Sequence, residues 1–221
     1  GTPSVMTNFE LEAIFIALEK KISICKIKEI TIEINPEDLL NEKLDFYKKI
    51  GINRLSIGIQ SMNNDVLKWM NRIHDKNQVV KGLNNTRDLG FENVSLDFIY
   101  GTPKGVARDY KSELLEILQF NPTHLSCYHL TIEDGTYFGH LAKKKKLNQI
   151  EEDVSEEEFI WISEKLKSKN YRHYEISNFA TKGKESFHNS NYWNQSTYIG
   201  LGPGAHSFQN SKRRWNISNN R

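Results

Sequence analysis

Glu33, Gln60 and Asp97 each stand near the end of a separate β-type segment. An ionised carboxylate offers two acceptor oxygens, so Glu33 in Glu33-Ile34-Asn35-Pro36 could take both hydroxyls of a ribose. The plain alternative is a structural carboxylate paired to Arg54 or another base. Gln60, in Gly58-Ile59-Gln60-Ser61, presents a donor and an acceptor at one point, which suits an amino-acid moiety; it could equally cap a strand end. Asp97 puts a charge inside an apolar segment, and burying it unpartnered is costly, so Arg54, Arg72 or a ligand has to answer it. Arg72, in Met70-Asn71-Arg72-Ile73-His74, could clamp a carboxylate through two parallel N–H bonds, or stand as a solvated helix-end arginine. His188, in His188-Asn189-Ser190-Asn191-Tyr192-Trp193, is a candidate metal ligand, an axial ligand to haem iron included, with neighbouring aromatics able to pack on a flat macrocycle. Against that stands a loop histidine bonded to backbone.

These side chains need elements to aim them. Residues 29–34 are β-branched and strictly alternating, which predicts a strand; further strands are expected at 55–60, 94–100 and 125–130. Helical spacing is expected from Phe9 to Leu18, with Thr7 or Asn8 as N-cap, then from Asp38 to about Ile50, and near 63–71, 76–89, 108–119 and 155–169. The segment 49–58 has an internal echo at 88–97. Each copy runs helix end, glycine (Gly51, Gly90), apolar residue, two polar residues, strand. Glycine suits the left-handed position after a helix end. A looser third copy at 169–176 carries Asn170 in that place, the usual second choice.

Alternating strands and helices predict parallel βαβ units, with a doubly wound sheet as one architecture. Strand faces favour another. One face is polar or small (Thr31/Glu33/Asn35, Ser56/Gly58/Gln60, Ser95/Asp97, Ser126/Tyr128) and the other apolar, whereas a sheet covered by helices on both sides reads as nearly continuous apolar runs. A single helical layer around a polar interior predicts a wide or open barrel, with ligands at the C-terminal strand ends.

Composition excludes more than it identifies. With 30 basic and 28 acidic residues the formal charge is only +2, which gives no electrostatic reason to expect nucleic acid as a partner. Cys25 and Cys127 are the only cysteines, so no CxxC metal cluster or disulfide framework is expected, and a reducing, cytoplasmic setting fits. No window is apolar enough for a membrane span. The run from Gly200 to Gly204 lacks the ending of a phosphate loop. Gly1-Thr2-Pro3-Ser4 leads into a helix with no strand before it, and the C-terminus stops in mid-pattern; truncation is expected at both ends.

Taken together the motifs resemble a known family. Gly1-Thr2-Pro3-Ser4 resembles the tail of the glycine-rich motif of radical S-adenosylmethionine (SAM) proteins. Glu33-Ile34-Asn35-Pro36, the segments 54–61 and 96–103, and Asn71-Arg72 resemble the oxygen-independent coproporphyrinogen III oxidase family. The 188–193, 200–207 and 174–180 segments resemble its haem-chaperone branch. The resemblance implies a partial parallel (βα)6 TIM-like barrel with strands 3 to 6 present over residues 1–140, and the start of an irregular α+β C-terminal region over 141–221. It also implies SAM at the rim, with Gly1 and Thr2 by the methionyl group, Glu33 by the ribose, and Gln60, Arg72 and Asp97 nearby. His188 becomes the expected haem-iron ligand. Haem and haem-acceptor proteins are the implied partners, with any membrane contact made through acceptors; the rival implication is oxidative decarboxylation of coproporphyrinogen III. No catalytic residue is implied within the chain. The three cysteines, spaced CxxxCxxC, that hold the family's four-iron–four-sulfur (4Fe-4S) cluster would precede Gly1.

Overall fold

The structure is a computed structural model describing residues 2–103, 105–145, 147 and 150–218. It divides into two compact units, Gly1–Lys184 and Glu185–Arg221.

The first unit opens with a 3-10 turn, Pro3–Val5, and helix α1, Asn8–Glu19. Thr7 caps α1 in a reciprocal capping box with Glu10, as its position before an acidic third residue predicts. Of the five apolar residues spaced along α1, Leu11 is buried, Phe15 and Leu18 are half-buried, and Phe9 and Ile14 are exposed. There follow β1 (Thr31–Ile34), α2 (Asn41–Lys49), β2 (Arg54–Gln60), α3 (Asn64–Trp69), α4 (Lys76–Asp88), β3 (Val94–Tyr100), α5 (Tyr110–Gln119) and β4 (His124–His129). The helix expected from Asp38 is split: Pro36–Asp38 form a 3-10 turn and α2 begins three residues later. The unit closes with α6 (Tyr137–Lys143), α7 (Glu152–Ser168), β5 (Arg172–His173) and β6 (Asn178–Ala180).

Six strands form one mostly parallel sheet in the order β1-β2-β3-β4-β6-β5. The first four pair parallel; β6 runs antiparallel to β4, and β5 antiparallel to β6. The third sequence echo is therefore only half repeated. Asn170 does take the left-handed conformation (φ 66°), as do Gly51 (φ 93°) and Gly90 (φ 72°), but the strand after it turns antiparallel. Local helix-end chemistry is the same in all three copies; the partner strand decides the direction.

Period-two alternation sorts the sheet's faces. Ile32, Ile34, Leu55, Ile57, Ile59, Leu96, Phe98 and Leu125 are buried in one core with Leu44, Tyr47, Val79, Leu83, Leu114, Ile117, Ile162 and Leu166 of the helices. The opposite face carries the polar set. Register aligns Glu33 with Ser56, Ser56 with Ser95, and Ser95 with His124; one step on, Asp97 aligns with Ser126 and Ser126 with Asn178. The architecture is α/β with a mostly parallel sheet, and among the described residues β1 and β5 are its edges.

Gly101, following β3, has φ 77°, and a Cβ there would lie 2.5 Å from the His129 ring; its N–H donates to Glu158 on α7 (2.8 Å). Gly101→Ala is expected to lower stability by about 1–3 kcal/mol from overpacking alone, read as a shift in the urea midpoint at unchanged slope.

The second unit holds α8 (Phe187–Trp193) and a hairpin of β7 (His206–Gln209) with β8 (Lys212–Trp215). Asn210 and Ser211 at its tip both have positive φ (51° and 58°), as the twist of a two-residue hairpin loop requires.

Candidate functional site

Four of the expected site residues come together where β1, β2 and β3 end. Glu33 is exposed on the polar face of β1. Asp97 lies half-buried on β3 and receives a hydrogen bond from Ser56 Oγ (3.4 Å) and another from Ser126. Burial pushes its carboxyl up to about 6, and the negative charge of Glu33 adds to the shift; Ser126, Arg54 and Ser56 oppose it. Asp97 makes no ion pair with a described residue. At neutral pH it is a desolvated carboxylate held by two hydroxyls, a site that favours a cation.

Arg54 does not answer either carboxylate directly. It is buried at the start of β2 and faces Glu29 (Nε to Oε2 3.9 Å), so it reaches Asp97 only through space. Glu29 and Glu33 share one parity on the same strand segment, and the sequence alone could not choose between them. Arg72 follows the left-handed Asn71 (φ 55°) after α3, half-buried. Desolvation lowers its pKa, while the charges of Glu37 and Asp97 support the cation.

Gln60 has the least expected geometry. Its φ is +63°, and Ser61 N–H donates to the carbonyl of Ile59 (2.8 Å), so Gln60 sits at the centre of a γ-turn of the rare positive-φ form. A one-residue bulge accompanies it: Gln60 opposes Phe98, where an unbroken register would put Ile59. The side chain folds over Gly58. A Cβ on Gly58 would come within 2.8 Å of Gln60 Nε2 and 3.8 Å of Asn35 Oδ1, so glycine leaves room for the amide between β1 and β2.

Thr2 is brought to the same end by its neighbour. Ser4 is buried, donates to Asp38 (2.8 Å) and accepts from Asn35 N–H (3.4 Å), while Lys43 bridges the Ser4 carbonyl (2.7 Å) and Asp38 (2.6 Å). These bonds pin the Pro3–Val5 turn to the loop after β1. Gly1 lies outside the described residues.

His188 lies in the second unit, on helix α8 and not in a loop. Its imidazole is exposed, makes no hydrogen bond to a described residue, and packs edge-on to Tyr192 (4.8 Å between centroids). The backbone-bonded alternative is therefore not what the structure has. An open imidazole beside an aromatic face fits an axial ligand with a ring to pack against.

Sequence reasoning missed a second polar cluster below Asp97. His124 is fully buried, with Nδ1 2.7 Å from Ser95 Oγ and Nε2 2.8 Å from the Tyr174 hydroxyl. Burial, and then the charge of Arg54, push its pKa down to about 3, so it is neutral. The signal that could have found it is its place on the polar parity of β4, two residues before Ser126. Tyr128, further along that face, has its pKa raised by burial and then by the charges of Asp97, Glu175 and Glu33.

The residues present do not fit an iron–sulfur cluster. Cys25 is exposed in a 3-10 turn, Cys127 is buried in β4, and among the described residues no group of three or more His, Cys, Asp or Glu could hold a metal.

A polar row toward the C-terminal ends of parallel strands accords with the family match: residues 1–116 match the radical SAM superfamily, and the chain belongs to it. Among curated proteins it is similar to the haem chaperone HemW of Lactococcus lactis, 34% identical over 94% of this chain and 55% of that protein. It is also similar to the HemW of Bacillus subtilis, 33% identical over 98% of this chain and 58% of the relative. The chain thus spans a little over half the length of these relatives. Among solved structures, the coproporphyrinogen III oxidase HemN of Escherichia coli superposes with a TM-score of 0.80 over 99% of this chain and 53% of its own, at 21% identity, a likeness of fold. No helix among the described residues is long and apolar enough to cross a membrane.

Proposed function

We propose that the chain is the SAM-binding and haem-binding part of a longer cytoplasmic haem chaperone, which binds haem and transfers it to acceptor proteins. The observation that carries the haem reading is His188, an exposed imidazole that bonds no described residue and lies beside an aromatic ring in a chain similar to HemW proteins. His188 would hold the haem iron through a ring nitrogen, with Tyr192 packing nearby.

Residues 1–140 would be the partial barrel, strands 3 to 6 of six, and residues 141–221 the start of the C-terminal region; the compact units divide later because β5 and β6 pair back onto β4. Bound SAM supplies a ribose, an amino-acid moiety and a sulfonium cation. Glu33 accepts the ribose hydroxyls, Gln60 and Arg72 orient the amino-acid moiety, and Asp97 offers its carboxylate to positive charge; Gly1 and Thr2 lie by the methionyl group. The 4Fe-4S cluster would take its ligands from outside this chain. Membrane contact, if the protein makes any, would come through the acceptors.

The test is a haem titration of the full-length protein followed by its Soret band. His188→Ala is expected to weaken binding at least about tenfold, a loss of one ligand bond worth roughly 1.4 kcal/mol or more. Wild-type haem affinity in that variant would remove the assignment. The second reading, oxidative decarboxylation of coproporphyrinogen III, is supported by the fold shared with HemN. Turnover of that substrate by the cluster-loaded protein would replace the chaperone reading.

A further inference from the structure

A left-handed γ-turn at glutamine is strained, and strained backbone persists only where its surroundings over-determine it. The determinants here are buried and come from far along the chain. Glu113, on α5, is 6% exposed and accepts three sets of donors. Ser61 Oγ–H and Met62 N–H (2.7 Å) both donate to its Oε2. Arg108, its side chain 2% exposed and lying over the Phe98 ring (4.9 Å), donates Nε–H to Oε1 (2.8 Å) and Nη2–H to Oε2 (3.3 Å). Ser61 Oγ also accepts from Asn63 N–H (3.0 Å), and His74 Nε2 lies 3.2 Å from the Ile59 carbonyl that closes the γ-turn. The two residues directly after Gln60 are thus tied to one carboxylate, which is itself held in orientation by a buried arginine.

We propose that Glu113 is a positioning residue for the SAM site: by holding Ser61 and Met62 it fixes the turn that folds the Gln60 amide over Gly58 and toward Asn35. Arg108 serves by orienting Glu113 and neutralising it. This rests on the reading of Gln60 as a SAM contact. An apolar pair of the same volume would leave the Met62 N–H and the Ser61 hydroxyl without this acceptor, so the carboxylate is what ties the turn down. The barrier to flexing at Gln60 is removed from the amide itself and placed in a network that touches no ligand.

The experiment uses full-length, cluster-loaded protein and measures SAM affinity for wild type, Gln60→Ala, Glu113→Gln and the double variant. Glu113→Gln keeps the side chain's volume and one acceptor oxygen but leaves the buried Arg108 without its counter-charge, so urea unfolding accompanies the titration and affinities are compared on folded protein. Each single change is expected to weaken SAM binding about tenfold, and the double variant no more than Gln60→Ala alone, the signature of two residues acting as one unit. Wild-type affinity in Glu113→Gln, or losses that multiply to about a hundredfold in the double variant, would overturn the proposal. Backbone hydrogen exchange gives an independent readout. Glu113→Gln should speed exchange at Met62 about tenfold or more while the amides of β3 stay protected. Unchanged exchange at Met62 would overturn the clamp. Should Gln60→Ala bind SAM as wild type does, it is the SAM contact of Gln60 that fails, and Met62 exchange decides the clamp by itself.

Discussion

Asp97→Asn is expected to weaken SAM binding by the full-length protein about 10- to 100-fold at pH 7.5, the worth of a hydrogen bond to a charged group. The same change is expected to make the SAM-free protein more stable. Both follow from one environment. The Asp97 carboxyl is pushed up to about 6 by burial and by Glu33, against an ordinary value near 3.8. The folded chain therefore binds this proton more tightly than the unfolded chain does. Stability from Asp97 is complete below about pH 4 and is lost as pH rises through 6, at a cost of about 3 kcal/mol for the ionised form. A cationic ligand relieves that cost, so wild-type affinity should fall as pH drops below 6, and asparagine should flatten the profile. Calorimetric unfolding of the free protein and SAM titrations from pH 5 to 8 measure the two effects. A variant that gained no stability and kept wild-type affinity at every pH would show that Asp97 is an ordinary buried carboxylate.

His124 predicts the opposite slope. Its imidazole is held neutral, with a pKa of about 3 against 6.5 in the unfolded chain. Here the unfolded state binds the extra proton, so stability is complete above pH 6.5 and is lost as pH falls, by about 2 kcal/mol at pH 5. Asp97 masks part of this, because its own protonation stabilises the fold by about 1.4 kcal/mol over the same interval. Urea midpoints between pH 7 and 5 should therefore fall more steeply in Asp97→Asn than in wild type. Adding His124→Gln should remove most of the slope in that window, leaving the smaller part due to His129, whose pKa burial also lowers, and should lower stability at pH 7, because the Ser95 and Tyr174 bonds are disturbed. A slope undiminished by His124→Gln would place the main titrating group elsewhere.

What the sequence reveals of this chain follows the range of the interactions concerned. Ile32, Ile57 and Leu96 alternate with Glu33, Ser56 and Asp97 at period two, so four strands and their two faces are legible from neighbours alone. The left-handed positions at Gly51, Gly90 and Asn170 are equally local. Direction and closure are not: Arg172 and His173 follow the same helix-end signal as β2 and β3, yet their partner is Phe179 and Ala180, reached by a reversal of the chain. Among the alternatives open for Arg54, the structure sets it against Glu29 and not Glu33, since Glu29 lies on the same parity and only packing selects it. The types and chain positions of the candidate residues Glu33, Gln60, Arg72 and Asp97 are legible in the sequence. The backbone that aims Gln60 is not, because glutamine carries no signal for positive φ, and the carboxylate holding the turn stands 52 residues from Ser61.

In the proposed function the polar ends of β1, β2 and β3 form a SAM site. A crystal structure of the full-length, cluster-loaded protein with SAM tests it most directly. The expected result is a ribose against Glu33 and the amino-acid moiety among Gln60, Arg72 and Asp97, with the Gln60 turn unchanged. SAM bound away from this row, or Glu33 and Asp97 both free of ligand in a SAM-saturated crystal, would contradict it.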